Sequence, residues 1–147
     1  MHKLIHTVLL ALLVIGCAEY LPMSGGALEG KVSPLPLSLD KIIQDKIIQL
    51  ETGASEAYSV NLWVVEVEGY LHVFAGDNKA EWVENMEQNR NVRLRSGDEV
   101  FELEAARVSD PEVFELFAKA WEAKYGNRPR NESVEETYLY RLRPRGS

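Results

Sequence analysis

Cysteine, histidine and catalytic motifs are scarce in this sequence. Its 147 residues include one cysteine and three histidines, and a single cysteine excludes an internal disulfide even in an oxidising compartment. Because His2 and His6 lie near the amino terminus, His72 is the one imidazole in the rest of the chain. It has no neighbouring cysteine and no helical ligand spacing, which argues against a zinc or iron site. Neither a Gly-x-Ser-x-Gly elbow nor a glycine-rich phosphate loop is present, so hydrolase chemistry has no support.

Basic residues are fewer than acidic residues. The chain has 16 basic and 23 acidic residues, for a formal net charge of −7. Nucleic acids and anionic lipid surfaces bind clustered cationic charge, so this balance argues against nucleic acid as a partner. Hydrophobic residues make up 46% of the sequence, which is too apolar for a disordered chain and predicts a folded domain.

The first 17 residues have the layout of an export signal. Met1-His2-Lys3 is a short positive start, and an apolar run over Leu4–Ile15 leads to Gly16-Cys17. This run is too short for a bilayer of roughly 30 Å, which takes about 20 helical residues. Val14-Ile15-Gly16-Cys17 resembles the bacterial lipobox, in which the cysteine is acylated before cleavage. We therefore expect a lipoprotein signal peptide over residues 1–16.

The resemblance implies a lipid on Cys17 that anchors the mature protein in the bacterial cell envelope, facing the periplasm or the exterior. The alternative is an ordinary signal peptide, cleaved after Ala18, with an incidental cysteine. Residues 17–38 contain Ser24-Gly25-Gly26, Gly30, Pro34 and Pro36 without an apolar period. That composition predicts a flexible tether, followed by one folded domain over residues 39–147.

The predicted domain is α+β, with antiparallel strands dominant. Runs of β-branched and aromatic residues predict six strands, over residues 47–52, 59–67, 70–75, 91–95, 99–108 and 135–143. The second and third should pair as a hairpin through the Glu68-Gly69 turn, and the fourth and fifth through residues 96–98. Such a small sheet has to curl or close to shield its edges.

One short and one long helix complete the prediction. The short helix covers Lys79–Gln88, with a capping residue from the turn at residues 76–78. The long helix has Asp110 as its cap, Pro111 at its first position and Gly126 as its stop.

A series of short motifs from about Ile47 to Arg143 occurs in the order expected of one family. The motifs are Thr52-Gly53, Val60-Asn61-Leu62-Trp63, Gly69, Phe74-Ala75-Gly76, Trp82-Val83-Glu84-Asn85, Val92-Arg93-Leu94-Arg95 and Lys124-Tyr125-Gly126. Together they resemble the split β-barrel proteins related to pyridoxamine phosphate oxidase, especially the branch with deazaflavin-dependent nitroreductases. The resemblance implies a six-stranded antiparallel split barrel, a flavin mononucleotide or deazaflavin cofactor, and often a homodimer.

The resemblance also implies that arginine and lysine hold the cofactor phosphate just after the Thr-Gly pair. Here that segment is Ala54-Ser55-Glu56-Ala57-Tyr58. Each missing charge-assisted hydrogen bond is worth roughly 1.5–3 kcal/mol, so the inherited phosphate site is in question. Arg90, Arg93 and Arg95 offer replacement cations, or else form a solvated face with acidic cross-strand partners.

Six residues remain as candidate ligand contacts. They are the hydroxyls of Thr52 and Ser55, the rings of Tyr58 and Trp63 for a small flat ligand, Asn61 by the resemblance, and Lys79 near a helix amino terminus. A core position is the alternative for Trp63, and a turn position is the alternative for Tyr58 and Asn61.

Two functions follow from these patterns. One is a noncatalytic binding or interaction module at the envelope, favoured by the segment over residues 54–58. The other is a flavin- or deazaflavin-dependent reductase of a small quinone or nitro-like substrate, in which the cofactor supplies the hydride chemistry. Because fold does not fix function, the arrangement of the candidate residues has to decide between these two functions. An open apolar pocket lined by Tyr58, Asn61, Trp63 and Lys79 would favour the reductase.

Overall fold

The computed structural model describes residues 25–53 and 55–147. The predicted signal peptide, Cys17 and the start of the predicted tether lie outside the described residues. Within the described ranges, no helix combines the length and apolar character needed to cross a membrane.

The described chain forms strands and helices in an order close to that predicted. The strands are β1 (Lys31–Val32), β2 (Ile48–Thr52), β3 (Tyr58–Leu62), β4 (Val65–Val67), β5 (Tyr70–Phe74), β6 (Asn91–Ser96), β7 (Glu99–Arg107) and β8 (Leu139–Pro144). The helices are α1 (Asp40–Ile43), α2 (Glu81–Gln88) and α3 (Pro111–Tyr125).

The strands form one curled sheet. Its order is β3-β2-β6-β7-β8-β5-β4, with β1 pairing with β7 off this path. Every pair along the path is antiparallel, and only the short β1–β7 pair is parallel among the described strands. Because β3 and β4 stand at opposite ends of the order but are separated only by Trp63 and Val64, the sheet must curl until its edges approach. The predicted α+β fold with an antiparallel split barrel is confirmed.

Alternation along the strands places an apolar core inside the curl. Leu50, Leu94 and Leu142 are 0% exposed there, and α2 closes this inner core with Trp82 and Met86. Fully burying one side chain of this size stabilises the fold by about 1.5–3 kcal/mol.

Helix α3 covers a second apolar cluster, on the outer side of the sheet. Its Phe114 and Phe117 are buried in the same cluster as Val65 and Val67 of β4. The helix therefore supports the edge strand β4 from outside the barrel and contributes no residue to the inner core.

The strand predicted over residues 59–67 is two strands. β3 pairs with β2, whereas β4 pairs with β5, so only β4 belongs to the predicted hairpin. At the break, the backbone N–H of Val64 donates to the Tyr125 hydroxyl at 2.9 Å, and the Val64 carbonyl accepts from Lys124 Nζ at 2.7 Å. Side chains of α3 thus satisfy the backbone where the chain crosses between the two edges. This split, together with β1, raises the predicted six strands to eight.

The long helix matches both of its predicted ends, whereas the short helix ends at Gln88 as predicted but begins two residues late. The Asp110 carboxylate accepts from the Glu112 N–H at 2.9 Å, and Gly126 ends α3 with φ of 91°. The prediction of a cap from residues 76–78 is wrong, because α2 begins at Glu81 and Ala80 at its N-cap makes no side-chain capping bond.

The last strand also begins later than predicted, at Leu139. The Thr137 hydroxyl donates to the Ser133 carbonyl at 2.6 Å, and the Thr137 N–H donates to the same carbonyl at 3.1 Å. These bonds hold residues 133–137 in a turn and keep them out of the strand.

From Gly25 onward, the segment predicted as a flexible tether is attached to the sheet. Gly25 and Ser59 exchange two backbone hydrogen bonds of 2.8 Å. The Leu28 N–H donates to the Glu51 carboxylate at 2.6 Å, and the Leu28 side chain is only 6% exposed. Glycine and proline predicted flexibility here, but long-range pairing, which composition does not report, holds this stretch in place.

Candidate functional site

A cavity of about 530 Å³ lies between the β2–β3 turn and one face of α2. We call it the acidic cavity; its lining residues are Gly25, Gly26, Gly53, Ser55, Glu56, Ala57, Tyr58, Glu81, Asn85 and Gln88. Gly53 forms the tight turn with φ of 104°, and a Cβ there would lie 2.2 Å from the Glu56 carbonyl oxygen. This close approach requires glycine.

Thr52 fixes the turn to the helix beneath this cavity. Its side chain is 1% exposed, and its hydroxyl accepts from the Asn85 amide at 3.1 Å. The same hydroxyl donates to the Tyr58 carbonyl at 3.5 Å. Since both contacts lie within the protein, Thr52 positions the cavity wall and its hydroxyl is already engaged.

The charge of this cavity is negative. Glu56 and Glu81 are its charged lining residues within the described ranges, and no arginine or lysine lines it. Helix α2 places Glu81 and Glu84 in its first turn, where the helix dipole would otherwise favour an anion. A phosphate group would therefore meet two carboxylates without a cationic partner. The residues present do not fit the phosphate of a flavin nucleotide.

The structure brings three of the six candidate contacts together. Ser55 and Tyr58 line the acidic cavity, and Thr52 lies directly behind it. Asn61 is exposed on β3, in register with Gln49 on the outer face of the sheet. It is therefore directed away from the inner core.

Trp63 and Lys79 belong to other parts of the molecule. The Trp63 ring stacks on Tyr125 of α3, with ring centroids 4.1 Å apart and planes 10° from parallel. Lys79 forms an exposed ion pair of 2.8 Å with Glu87. A pocket lined jointly by Tyr58, Asn61, Trp63 and Lys79, the arrangement that would have favoured a reductase, is not formed.

Two of the three arginines considered as replacement phosphate ligands are held by the protein. Arg93 forms an ion pair of 3.2 Å with Glu51 and also donates to the Leu28 carbonyl at 3.2 Å. Arg95 donates to the Gly97 carbonyl at 2.9 Å. Both lie on β6, away from the acidic cavity, and Arg90 lines a different cavity on the far side of α2.

The Lys124-Tyr125 motif has a structural role. Lys124 Nζ donates to the Asp45 and Val64 carbonyls, both at 2.7 Å, and the Tyr125 hydroxyl donates to the Lys46 carbonyl at 2.9 Å. Desolvation lowers the pKa of Lys124 and raises the pKa of Tyr125. These side chains fasten α3 to the strand break and to the start of β2.

His72 is isolated from the acidic cavity. Its side chain is 1% exposed; Nδ1 contacts the Tyr70 carbonyl at 2.9 Å, and Nε2 is buried without a partner among the described residues. Burial lowers the pKa of His72, and nearby Arg141 lowers it further. In the described part of the chain, no group of three or more histidine, cysteine, aspartate or glutamate side chains is placed to hold a metal ion.

Sequence reasoning missed several residues of the acidic cavity. Gly25 and Gly26 come from the predicted tether, and Glu81 and Gln88 lie outside the Trp82-Val83-Glu84-Asn85 motif. The helical spacing of Glu81, Asn85 and Gln88 could have indicated a shared face. The arrival of residues 25–26 beside β3 depends on tertiary pairing and has no local signal.

No protein-family model matches this chain, and no curated protein matches it. Solved structures do. A candidate pyridoxamine 5′-phosphate oxidase of Listeria innocua is 14% identical with a TM-score of 0.53, over 73% of this chain and 90% of that one. A FAD-binding protein of Mesorhizobium loti is also 14% identical with a TM-score of 0.53, over 72% and 84%. The chain has the split-barrel fold.

A third similar structure comes from a protein with another ligand. The heme storage protein HutZ of Vibrio cholerae is 18% identical with a TM-score of 0.53, over 77% of this chain and 93% of that one. At identities of 14–18%, these comparisons show a shared fold. Because fold does not fix function, the function has to be inferred from the described residues.

Proposed function

We propose that this protein is a noncatalytic binding or interaction module of the bacterial cell envelope, anchored to a membrane by a lipid on Cys17. The observation that carries the noncatalytic part is the acidic cavity, where Glu56 and Glu81 occupy the wall and the described lining contains no cation. The apolar run that ends at Gly16-Cys17 supports the anchor.

The comparisons support binding of a flat molecule as the general capability of this fold. By their names, one split-barrel neighbour binds FAD and another stores heme. A flavin nucleotide adds a phosphate to such a flat ring, and two missing charge-assisted hydrogen bonds would weaken binding by about 3–6 kcal/mol, or roughly a hundredfold to ten-thousandfold. The chain thus keeps the scaffold, and its acidic cavity lacks the cations that would hold a flavin phosphate.

Three of the candidate residues already contact other residues of the protein, which supports the same proposal. The Thr52 hydroxyl is bonded to Asn85, the Trp63 ring is stacked on Tyr125, and Lys79 is paired with Glu87. Rearranging them to hold a flavin would break contacts that stabilise the fold. The predicted homodimer is untested by these contacts and stays a prediction.

The first experiment is an absorbance spectrum from 300 to 500 nm of the full-length protein, purified in detergent from cells and again after incubation with flavin mononucleotide or the deazaflavin. We expect a colourless protein that shifts the spectrum of neither cofactor. A retained chromophore with shifted bands would overturn the proposal and establish the alternative, a flavin- or deazaflavin-dependent reductase of a small quinone or nitro-like substrate.

A charge-reversal variant tests the reason for the expected absence of binding. Replacing Glu56→Lys together with Glu81→Lys supplies two ammonium groups where the cavity has two carboxylates. We expect this variant to bind flavin mononucleotide at least tenfold more tightly than the wild type. Glu122→Lys, on the exposed side of α3, is the matched control for a change of charge outside the cavity. Equal gains in both variants would contradict the assignment.

A further inference from the structure

A second cavity, of about 460 Å³, lies on the opposite flank of α2. We call it the basic cavity; its lining residues are Met86, Glu87, Arg90, Ala105, Ala106, Arg107 and Tyr140. At the helical spacing of 100° per residue, Met86 and Glu87 face away from the side that carries Glu81 and Asn85. The two cavities are therefore separate sites with α2 between them.

The basic cavity has the opposite charge from the acidic one. Arg90 and Arg107 line it together with one carboxylate, Glu87. That carboxylate is already paired with Lys79 at 2.8 Å. The result is a local excess of positive charge in a chain whose net charge is −7, which favours a ligand that carries negative charge.

Arg107 is held in position from behind. One of its terminal nitrogens donates to the Thr137 carbonyl at 2.6 Å, and its guanidinium carbon lies 4.4 Å from the centre of the Tyr138 ring. A guanidinium has five N–H donors, so this support leaves others for a ligand. The Arg90 carbonyl accepts from the Ala105 N–H at 2.8 Å, which fixes the Arg90 backbone beside β7.

Tyr140 adds a neutral hydrogen-bond donor to the two arginines of the basic cavity. Its side chain is only 5% exposed and lines the cavity. Its hydroxyl forms no hydrogen bond with any residue in the described ranges. Burial raises the pKa of Tyr140, so the hydroxyl remains a proton donor at neutral pH. The hydroxyl oxygen is not one of the buried, unpartnered side-chain atoms of the described residues, so it reaches the surface of the cavity and can donate to an acceptor oxygen of a ligand.

We propose that the basic cavity binds a small organic carboxylate. The carboxylate would accept from Arg90, Arg107 and the Tyr140 hydroxyl, and the hydrocarbon part would lie against Met86 and Ala105. This inference rests on the proposed function as a binding module, for which it names the ligand class, and it places that ligand outside the acidic cavity.

The test is isothermal titration of the full-length protein in detergent with benzoate as the probe, at low ionic strength. We expect measurable binding that Arg90→Gln and Tyr140→Phe each weaken at least tenfold. Arg130→Gln, an exposed arginine outside the cavity lining, is the matched control and should leave the affinity unchanged. Benzamide, which has the same shape without the charge, should bind at least tenfold more weakly than benzoate.

Three results would overturn the inference: absence of benzoate binding, an equal loss of affinity in Arg130→Gln, or equal binding of benzamide. Both test variants should fold, since Arg90 is exposed and phenylalanine keeps the packed ring of Tyr140; far-ultraviolet circular dichroism checks this. Flavin absorbance, measured separately, distinguishes the two proposals. A flavin-loaded protein that still binds benzoate through Arg90 would overturn the proposed function alone, whereas a colourless protein that ignores benzoate would overturn only this inference.

Discussion

Replacing Tyr125 by phenylalanine tests how the barrel holds its two edges together. The Tyr125 hydroxyl accepts from the Val64 N–H and donates to the Lys46 carbonyl, both at 2.9 Å. Val64 is 0% exposed, so its N–H would have no water to replace the lost acceptor. Phenylalanine keeps the ring that stacks on Trp63, which confines the change to the hydroxyl group.

The expected cost follows from these contacts. A net hydrogen bond contributes about 0.5–1.5 kcal/mol, and leaving a buried donor unpaired costs about 1–3 kcal/mol. The Val64 carbonyl keeps its bond to Lys124, so the damage is partial. We expect Tyr125→Phe to lower the free energy of unfolding by about 2 kcal/mol, and to accelerate hydrogen exchange of the Val64 amide more than that of amides in β7.

Urea unfolding followed by circular dichroism measures this free energy, and Tyr70→Phe is the matched control. Tyr70 is 40% exposed, and its hydroxyl makes no hydrogen bond within the described ranges. Loss of that hydroxyl should therefore cost no more than about 0.5 kcal/mol. If the two variants are equally stable, the attachment of α3 to the strand break does not contribute as argued.

Three further predictions concern other parts of the chain. Burial lowers the folded-state pKa of His72 below the unfolded value of 6.5, so the unfolded state takes up the proton first as pH falls. The free energy of unfolding should therefore decrease as pH drops below about 6.5. His72→Gln should reduce this pH dependence in unfolding experiments between pH 7 and pH 5. Gly53→Ala should lower the melting temperature more than Gly69→Ala, since both glycines have positive φ but only Gly53 would bring a Cβ within 2.2 Å of another atom. Cys17→Ser should release the protein from the membrane fraction and abolish incorporation of labelled fatty acid; unchanged labelling would contradict the proposed anchor.

The parts of the fold that the sequence predicted best are those with local causes. Asp110, Pro111 and Gly126 define α3 through capping and backbone preference within a few residues, and the turn between β6 and β7 lies where Gly97 predicted it. Apolar alternation located most strands because one face of each is buried. The overall fold followed from the order of motifs as well as from these local patterns.

The parts that could not be predicted depend on distant contacts. Residues 58–67 have a continuous β pattern, and the hydrogen bonds at its break come from Lys124 and Tyr125, about 60 positions away. Gly25 joins the sheet by pairing with Ser59. The candidate contacts are divided among several places for the same reason. Ser55 and Tyr58 share a turn, whereas Trp63 stacks on Tyr125 of α3 and Lys79 pairs with Glu87.

The central claim is that this barrel has lost recognition of a flavin phosphate, and a comparison of two ligands tests it most directly. Riboflavin and flavin mononucleotide share the ring and differ by the phosphate, so titration of the full-length protein with each, followed by flavin fluorescence, isolates the contribution of that group. With Glu56 and Glu81 in the cavity wall, we predict that flavin mononucleotide binds no more tightly than riboflavin. Binding of flavin mononucleotide a hundredfold or more tighter than riboflavin, the gain expected from about 3 kcal/mol of phosphate contacts, would contradict the account.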